Sequence, residues 1–124
     1  MKQLLFCLLL TAATFTAQAQ KPTWKALDDY HTVMSQTFHP SEEGNLQPIK
    51  ERSGELAAKA KTLQKSEIPT AYQKPGVKET LVLLAKESKA LDKIVRKKKS
   101  DAEITKTLTA LHERFHEVME KCHH

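Results

Sequence analysis

The fold is decided by residues 100–122, which read SDAEITKTLTALHERFHEVMEKC. Apolar side chains recur in this stretch at spacings of three and four, the pattern of a helix with one buried face. They are Ile104, Leu108, Leu111, Phe115, Val118 and Cys122. Ser100 followed three residues later by Glu103 is a capping-box pattern, which predicts that the helix begins at this point.

The first helix is predicted over Trp24 to Phe38, with Thr23 as its N-cap. Its apolar seam follows the same three-and-four spacing and contains Trp24, Leu27, His31, Met34 and Phe38. This helix is expected to end near His39, because Pro40 disfavours the helical conformation in the residue before it.

Two further helices are predicted between these. One covers about 46–65, with Asn45 as N-cap, and the other covers about 77–98. The chain has only 3 Gly and 5 Pro, and aromatic residues make up 6% of it, which favours helices over sheet. Four amphipathic helices with short or medium loops predict an all-α, antiparallel up-down-up-down four-helix bundle.

Residues 1–19 have the pattern of a cleavable signal peptide. Lys2 supplies the positive charge, Leu4 to Leu10 is an apolar run, and Ala17-Gln18-Ala19 resembles a cleavage site. The apolar run is too short for a stable membrane anchor. We therefore expect a periplasmic protein with one domain, residues 20–124, and no membrane span in the mature chain.

The charge pattern argues against nucleic acid as a partner. The formal net charge is +5, and the densest cluster, residues 96–99, lies at a predicted helix end, where positive charge complements the helix dipole. No aromatic residues interleave with this cluster.

The mature chain keeps one cysteine, Cys122, which is a free thiol, a metal ligand or a bridge to a second chain. A monomer and a Cys122-linked dimer are both compatible with the sequence.

Histidines on the last helix are the first candidates for chemistry. His112 and His116 are four residues apart, so on a helix they face the same way, and two imidazoles at this spacing can share one metal ion. Met119 lies on the same side, one turn further along. Imidazole, thioether and thiolate ligands together favour Cu, Zn or Ni over Mg or Ca.

His31 is the candidate on the first helix. Its place in the apolar seam predicts a buried imidazole, which needs a carboxylate, a carbonyl or a metal as partner. If the first and last helices are antiparallel, His31 lies level with His112 and His116, and these three form the tightest predicted set. Further candidates lie in the loop after the first helix and at the chain end: His39, Glu42, Glu43 and Cys122.

In length and helix order the chain resembles the periplasmic four-helix-bundle cytochromes, the soluble b-type cytochrome and cytochrome c-prime. Aligning residues 26–31 places His31 at the iron-binding methionine of that family, and aligning 114–116 places His116 at its iron-binding histidine. The resemblance implies a non-covalent haem b held by His31 and His116, or by Met34 and His116, and a role in electron transfer. Covalent haem attachment is not expected, since Met119 stands where CxxCH needs its first cysteine.

Three functions follow from these patterns. The first is a periplasmic metal-binding protein that acts as a buffer, sensor or carrier. The second is a haem electron carrier, and the third is a structural or adaptor bundle in which the histidines pack or sense pH. No enzyme is expected, because the sequence has no Ser/His/Asp constellation, Gly-rich phosphate loop or paired catalytic carboxylates.

Overall fold

The computed structural model describes residues 22–123, which form four α-helices and one short 3-10 helix and contain no strand. The helices are α1 (Lys25–Glu42), α2 (Gln47–Lys65), α3 (Val77–Arg96) and α4 (Asp101–His123), with the 3-10 turn Thr70–Tyr72 between α2 and α3. The predicted all-α fold with four helices is confirmed. The predicted signal peptide lies outside the described residues. Within 22–123, no helix is both long and apolar enough to cross a membrane.

α1 is longer than predicted. It runs through Pro40 to Glu42 instead of ending at Phe38. Pro40 lies in the last turn, where it removes one hydrogen bond and leaves little helix beyond it to distort. His39 and Glu42, which were expected in a loop, therefore lie on the helix, and Glu43 is its C-cap residue.

The end of α1 is set by Gly44, whose φ of +84° lies in the left-handed region. The amide of Gly44 donates a hydrogen bond to the carbonyl of Ser41, and the amide of Asn45 donates to that of Pro40. This pair of bonds is a Schellman motif, which satisfies the last carbonyls of a helix. The sequence Gly44-Asn45, and not Pro40, ends the helix.

The predicted N-cap is confirmed for α4, where the Ser100 hydroxyl accepts a hydrogen bond from the amide of Glu103 (3.2 Å). The N-cap residue of α2 is Leu46, so the prediction for Asn45 is wrong. The Asn45 side chain, one residue earlier, accepts a hydrogen bond from the amide of Gln47 (3.1 Å). α1 has no side-chain cap, so the prediction for Thr23 is wrong. α3 ends at Arg96, two residues before the predicted end at residue 98.

Side-chain contacts link consecutive helices in pairs. Glu87 and Thr80 of α3 bind Arg114 (2.9 Å) and Lys121 (3.0 Å) of α4, so the later residue of α4 meets the earlier residue of α3. Between α2 and α3, the Ser53 hydroxyl donates to the buried carboxylate of Asp92 (2.9 Å). The apolar stripe predicted for α4 is buried throughout, which confirms it. α2 also buries a single stripe, which contains Ile49, Ser53, Leu56, Ala60 and Leu63.

The buried face of α1 differs from its predicted seam. Its buried residues are Leu27, Tyr30, Val33, Met34, Thr37, Phe38 and Ser41. Tyr30 enters the core because its hydroxyl finds a partner there, Ser88 (2.9 Å), and the Thr37 hydroxyl donates to carbonyls of its own helix. The face is thereby rotated away from His31, which is exposed. The prediction that His31 is a buried core histidine is wrong.

Contacts between α1 and α4 are much sparser than those between consecutive helices. Their side chains still meet at two levels: Phe38 with His112, and both Tyr30 and His31 with Phe115. The junction of the first and last helices is therefore the loosest side of the molecule, and the candidate residues lie along it.

Candidate metal centre

A groove with a volume of about 490 Å³ follows the junction of α1 and α4. Six residues of α1 and four of α4 line it: His31, Met34, Ser35, Phe38, His39, Glu42, His112, Phe115, His116 and Met119. The groove thus brings together six of the eight predicted metal ligands. Glu43 and Cys122 do not line it.

The orientation of α4 explains why its histidines face this groove. At 100° per residue, His112, His116 and Met119 fall within an arc of about 60° on one flank of the apolar stripe. Arg114 and Lys121 fall on the opposite flank, where they bind side chains of α3. The apolar stripe faces the core between the two flanks, so packing and ion pairs together turn the histidine flank toward α1.

The two histidines of α4 are close neighbours. Their ring centres are 4.4 Å apart, and the ring planes are inclined at 79°. Two imidazoles that bind one ion through bonds of about 2 Å at a tetrahedral angle have ring centres about 5 Å apart. The distance between the ring centres is therefore close to the one that a shared ion requires.

His112 is held in place by Phe38 of α1. The two rings stack with centres 3.7 Å apart and planes 10° from parallel. The imidazole is half-buried, and burial, followed by the neighbouring His116, lowers its pKa below the usual 6.5. Glu42 opposes this shift. His112 is thus neutral at neutral pH, which is the form that binds metal ions.

His39 and Glu42 flank this pair from the last turn of α1. The Nδ1 atom of His39 lies 3.1 Å from a carboxylate oxygen of Glu42, and both side chains are largely exposed. Both groups affect the pKa of His112, which places them near it. Their exposure leaves them free to rotate toward an ion at His112 and His116.

His31 lies on the other side of Phe115, with the two ring centres 5.2 Å apart. It lines the groove, but the structure pairs His112 with His116 and places the His39–Glu42 pair beside them. The prediction named His31 in the tightest set. His31 meets Phe115, which lies between His112 and His116 in the sequence, so it is close to its predicted level, but Phe38 is the residue of α1 that meets His112.

Methionine and cysteine differ in where the structure places them. Met119 is half-buried in the groove wall, and Met34 lines the groove from α1 with only 1% of its surface exposed. Cys122 is part of the hydrophobic core, 3% exposed, and burial raises the pKa of its thiol. A disulfide to a second chain would require the end of α4 to move.

Within residues 22–123, no three or more His, Cys, Asp or Glu side chains already lie close enough together to hold a metal ion. What the structure brings together is a pair of imidazoles with further donors beside it. Sequence reasoning missed the stack of Phe38 on His112. Phe38 has ordinary seam spacing, and nothing in the sequence shows that its ring meets an imidazole from another helix.

No family model matches this chain, and neither a curated protein nor a solved structure does so. The resemblance to the helical cytochromes therefore stays a prediction.

Proposed function

We propose that this protein binds a transition-metal ion of the Cu, Zn or Ni type in the groove between α1 and α4, and acts as a metal buffer, sensor or carrier. The observation that carries the proposal is the His112–His116 pair, with ring centres 4.4 Å apart and facing a groove. Two imidazoles that bind one ion have ring centres only slightly further apart than this pair.

Preorganisation supports this assignment. Phe38 fixes the plane of the His112 ring, so little side-chain entropy remains to be lost when His112 binds an ion. His39 and Glu42 are exposed donors on the last turn of α1, at the rim of the same groove. Exposed donors at the rim also give the ion a route in and out, as reversible binding by a buffer or carrier requires.

The location and topology in this proposal are also inferred. The signal-peptide pattern of residues 1–19 supports export to the periplasm. The pairs Glu87–Arg114 and Thr80–Lys121 support an antiparallel arrangement of α3 and α4, and Phe38–His112 with His31–Phe115 supports the same for α1 and α4. Together they favour the up-down-up-down bundle.

Metal titration of the untagged protein tests the proposal. An ion offered at 100 times its Kd should stabilise the fold by about 2.7 kcal/mol, measured by thermal or denaturant unfolding. The double variant His112→Ala/His116→Ala should lose this stabilisation. His123→Ala is the matched control, because His123 is exposed and lies beside Tyr72, outside the groove. The assignment is wrong if the double variant binds as tightly as the wild type.

Haem b is a second candidate, because the groove contains all three residues that the cytochrome resemblance names: His31, Met34 and His116. Its volume of about 490 Å³ is in the range of small-molecule sites. A Soret band on haem titration, lost in His116→Ala, would favour the electron carrier. Absence of haem and metal binding, with melting unchanged by a chelator, would favour the adaptor bundle.

A further inference from the structure

We propose that the ion held in this groove is monovalent copper, bound by the imidazoles of His112 and His116 and the thioether of Met119. This inference rests on the proposed function and narrows it from a group of metals to one oxidation state of one metal. It comes from the third donor on the α4 flank, which is sulfur and carries no charge.

The position of Met119 follows from helix geometry. It is three residues after His116 and seven after His112, so all three project from the same flank of α4. Met119 is half-buried and lines the groove with both histidines. A second thioether, Met34, lines the groove from α1. Two sulfur donors therefore flank an imidazole pair.

Ligand softness favours copper in this set. Thioether sulfur is a soft ligand that selects Cu(I), whereas Zn(II) and Ni(II) gain less from it and bind well to imidazole and to charged ligands. Phe38 and Phe115 line the groove beside the donors and make part of its wall apolar.

The charge of the residues around the groove also favours a monovalent ion. Of the two carboxylates that act on His112, Glu42 lies 3.1 Å from His39, and Glu113 does not line the groove. When they bind a metal ion, two imidazoles and a thioether contribute no negative charge. In a partly apolar groove, an ion with one uncompensated charge costs less to bind than an ion with two.

The test compares Ag(I), a redox-inert substitute for Cu(I), with Zn(II) and with Cu(I) kept reduced without oxygen. The untagged protein carries Cys122→Ala, which prevents the thiol from binding silver. Met119→Leu conserves volume and removes only the sulfur. Removal of a residue that only hydrogen-bonds to a metal ligand weakens metal binding by at least about 10-fold. Loss of Met119, a direct ligand, should therefore weaken Ag(I) and Cu(I) binding by about 10-fold or more and leave Zn(II) affinity unchanged.

NMR of the methionine methyl groups tests the same proposal without substitution of any proposed ligand. Methyl-labelled methionine gives separate NMR signals for Met34 and Met119, and saturation with Ag(I) should shift that of Met119 strongly. An unshifted Met119 signal, or Zn(II) binding as tight as Ag(I), would overturn copper selectivity and leave the proposed metal site standing. If none of the three ions binds, the proposed function fails as well.

Discussion

The ring of Phe38 lies against the imidazole of His112, with the ring centres 3.7 Å apart and the planes 10° from parallel. This contact joins the end of α1 to the middle of α4 on the side where these helices otherwise touch little. One side chain therefore both closes the helix junction and orients a proposed metal ligand.

Replacing Phe38 by leucine should affect stability and metal affinity together. Loss of the stack is expected to lower the free energy of unfolding by about 1–2 kcal/mol. Because the His112 ring is then free to turn, metal affinity should fall about 10-fold, as for other outer-shell changes. Denaturant unfolding and metal titration measure the two effects separately.

Tyr72→Leu is the matched control for this change. Tyr72 stacks on Trp24, with ring centres 5.6 Å apart, and does not line the groove. It should lower stability and leave metal affinity unaltered. Equal losses of affinity in both variants would show that Phe38 acts through general stability and does not orient His112.

Acid should destabilise the protein partly through His112. Burial lowers its pKa in the folded state below 6.5, so the unfolded chain takes up the proton first as the pH falls. The stabilising contribution is complete above about pH 6.5 and is lost as the pH falls through the lower folded-state pKa. The free energy of unfolding should therefore drop as the pH is lowered below about 6.5. His112→Phe should show a smaller drop, and His123→Ala should follow the wild type. A slope identical in all three proteins would contradict the assignment to His112.

The Tyr30–Ser88 hydrogen bond (2.9 Å) offers a test of why α1 is rotated. Both side chains are fully buried. Tyr30→Phe leaves the Ser88 hydroxyl without its partner and should cost about 1–2 kcal/mol, as should Ser88→Ala. The double variant should cost less than the sum of the two, with a coupling energy of about 1 kcal/mol from a double-mutant cycle. Strict additivity would show that the bond does not hold Tyr30 in the core.

Substitution of alanine for Gly44 and for Gly54 should have opposite effects on the stability of the fold. Gly44→Ala forces alanine into a φ of +84° and should destabilise the fold by about 1–2 kcal/mol, although nothing lies within 4 Å of the added Cβ. Gly54 lies inside α2, where the added Cβ meets Asp92 at an ordinary 3.6 Å. Gly54→Ala should stabilise by about 0.5–1 kcal/mol. Thermal unfolding of both variants shows whether each substitution raises or lowers stability. A change in the same direction in both variants would contradict the explanation by backbone conformation.

Periodicity was sufficient to predict the buried face of α4, because this helix has a single apolar stripe. α1 has two candidate faces. The regular seam through His31 and the actual face through Tyr30 are offset by about 60° around the helix. Choosing between them depends on whether a partner for the Tyr30 hydroxyl lies across the core, and Ser88 is 58 residues away in the sequence.

The candidate site was predictable within one helix and not between helices. The spacing of His112, His116 and Met119 places them on one flank from sequence alone. Which residues of α1 face them depends on the register of α1 against α4, and this depends on where α1 ends. The assumption that Pro40 ends the helix concealed that His39 and Glu42 continue it toward His112.

Tyr72 lies beside both ends of the described chain, with its ring centre 5.6 Å from that of Trp24 and 6.2 Å from that of His123. A force that pulls the two ends apart therefore loads the sparse junction of α1 and α4 before any other pair of helices. The stack of Phe38 on His112 is one of the few side-chain contacts that hold this junction together. Loss of that stack would then lower the force at which the molecule first yields.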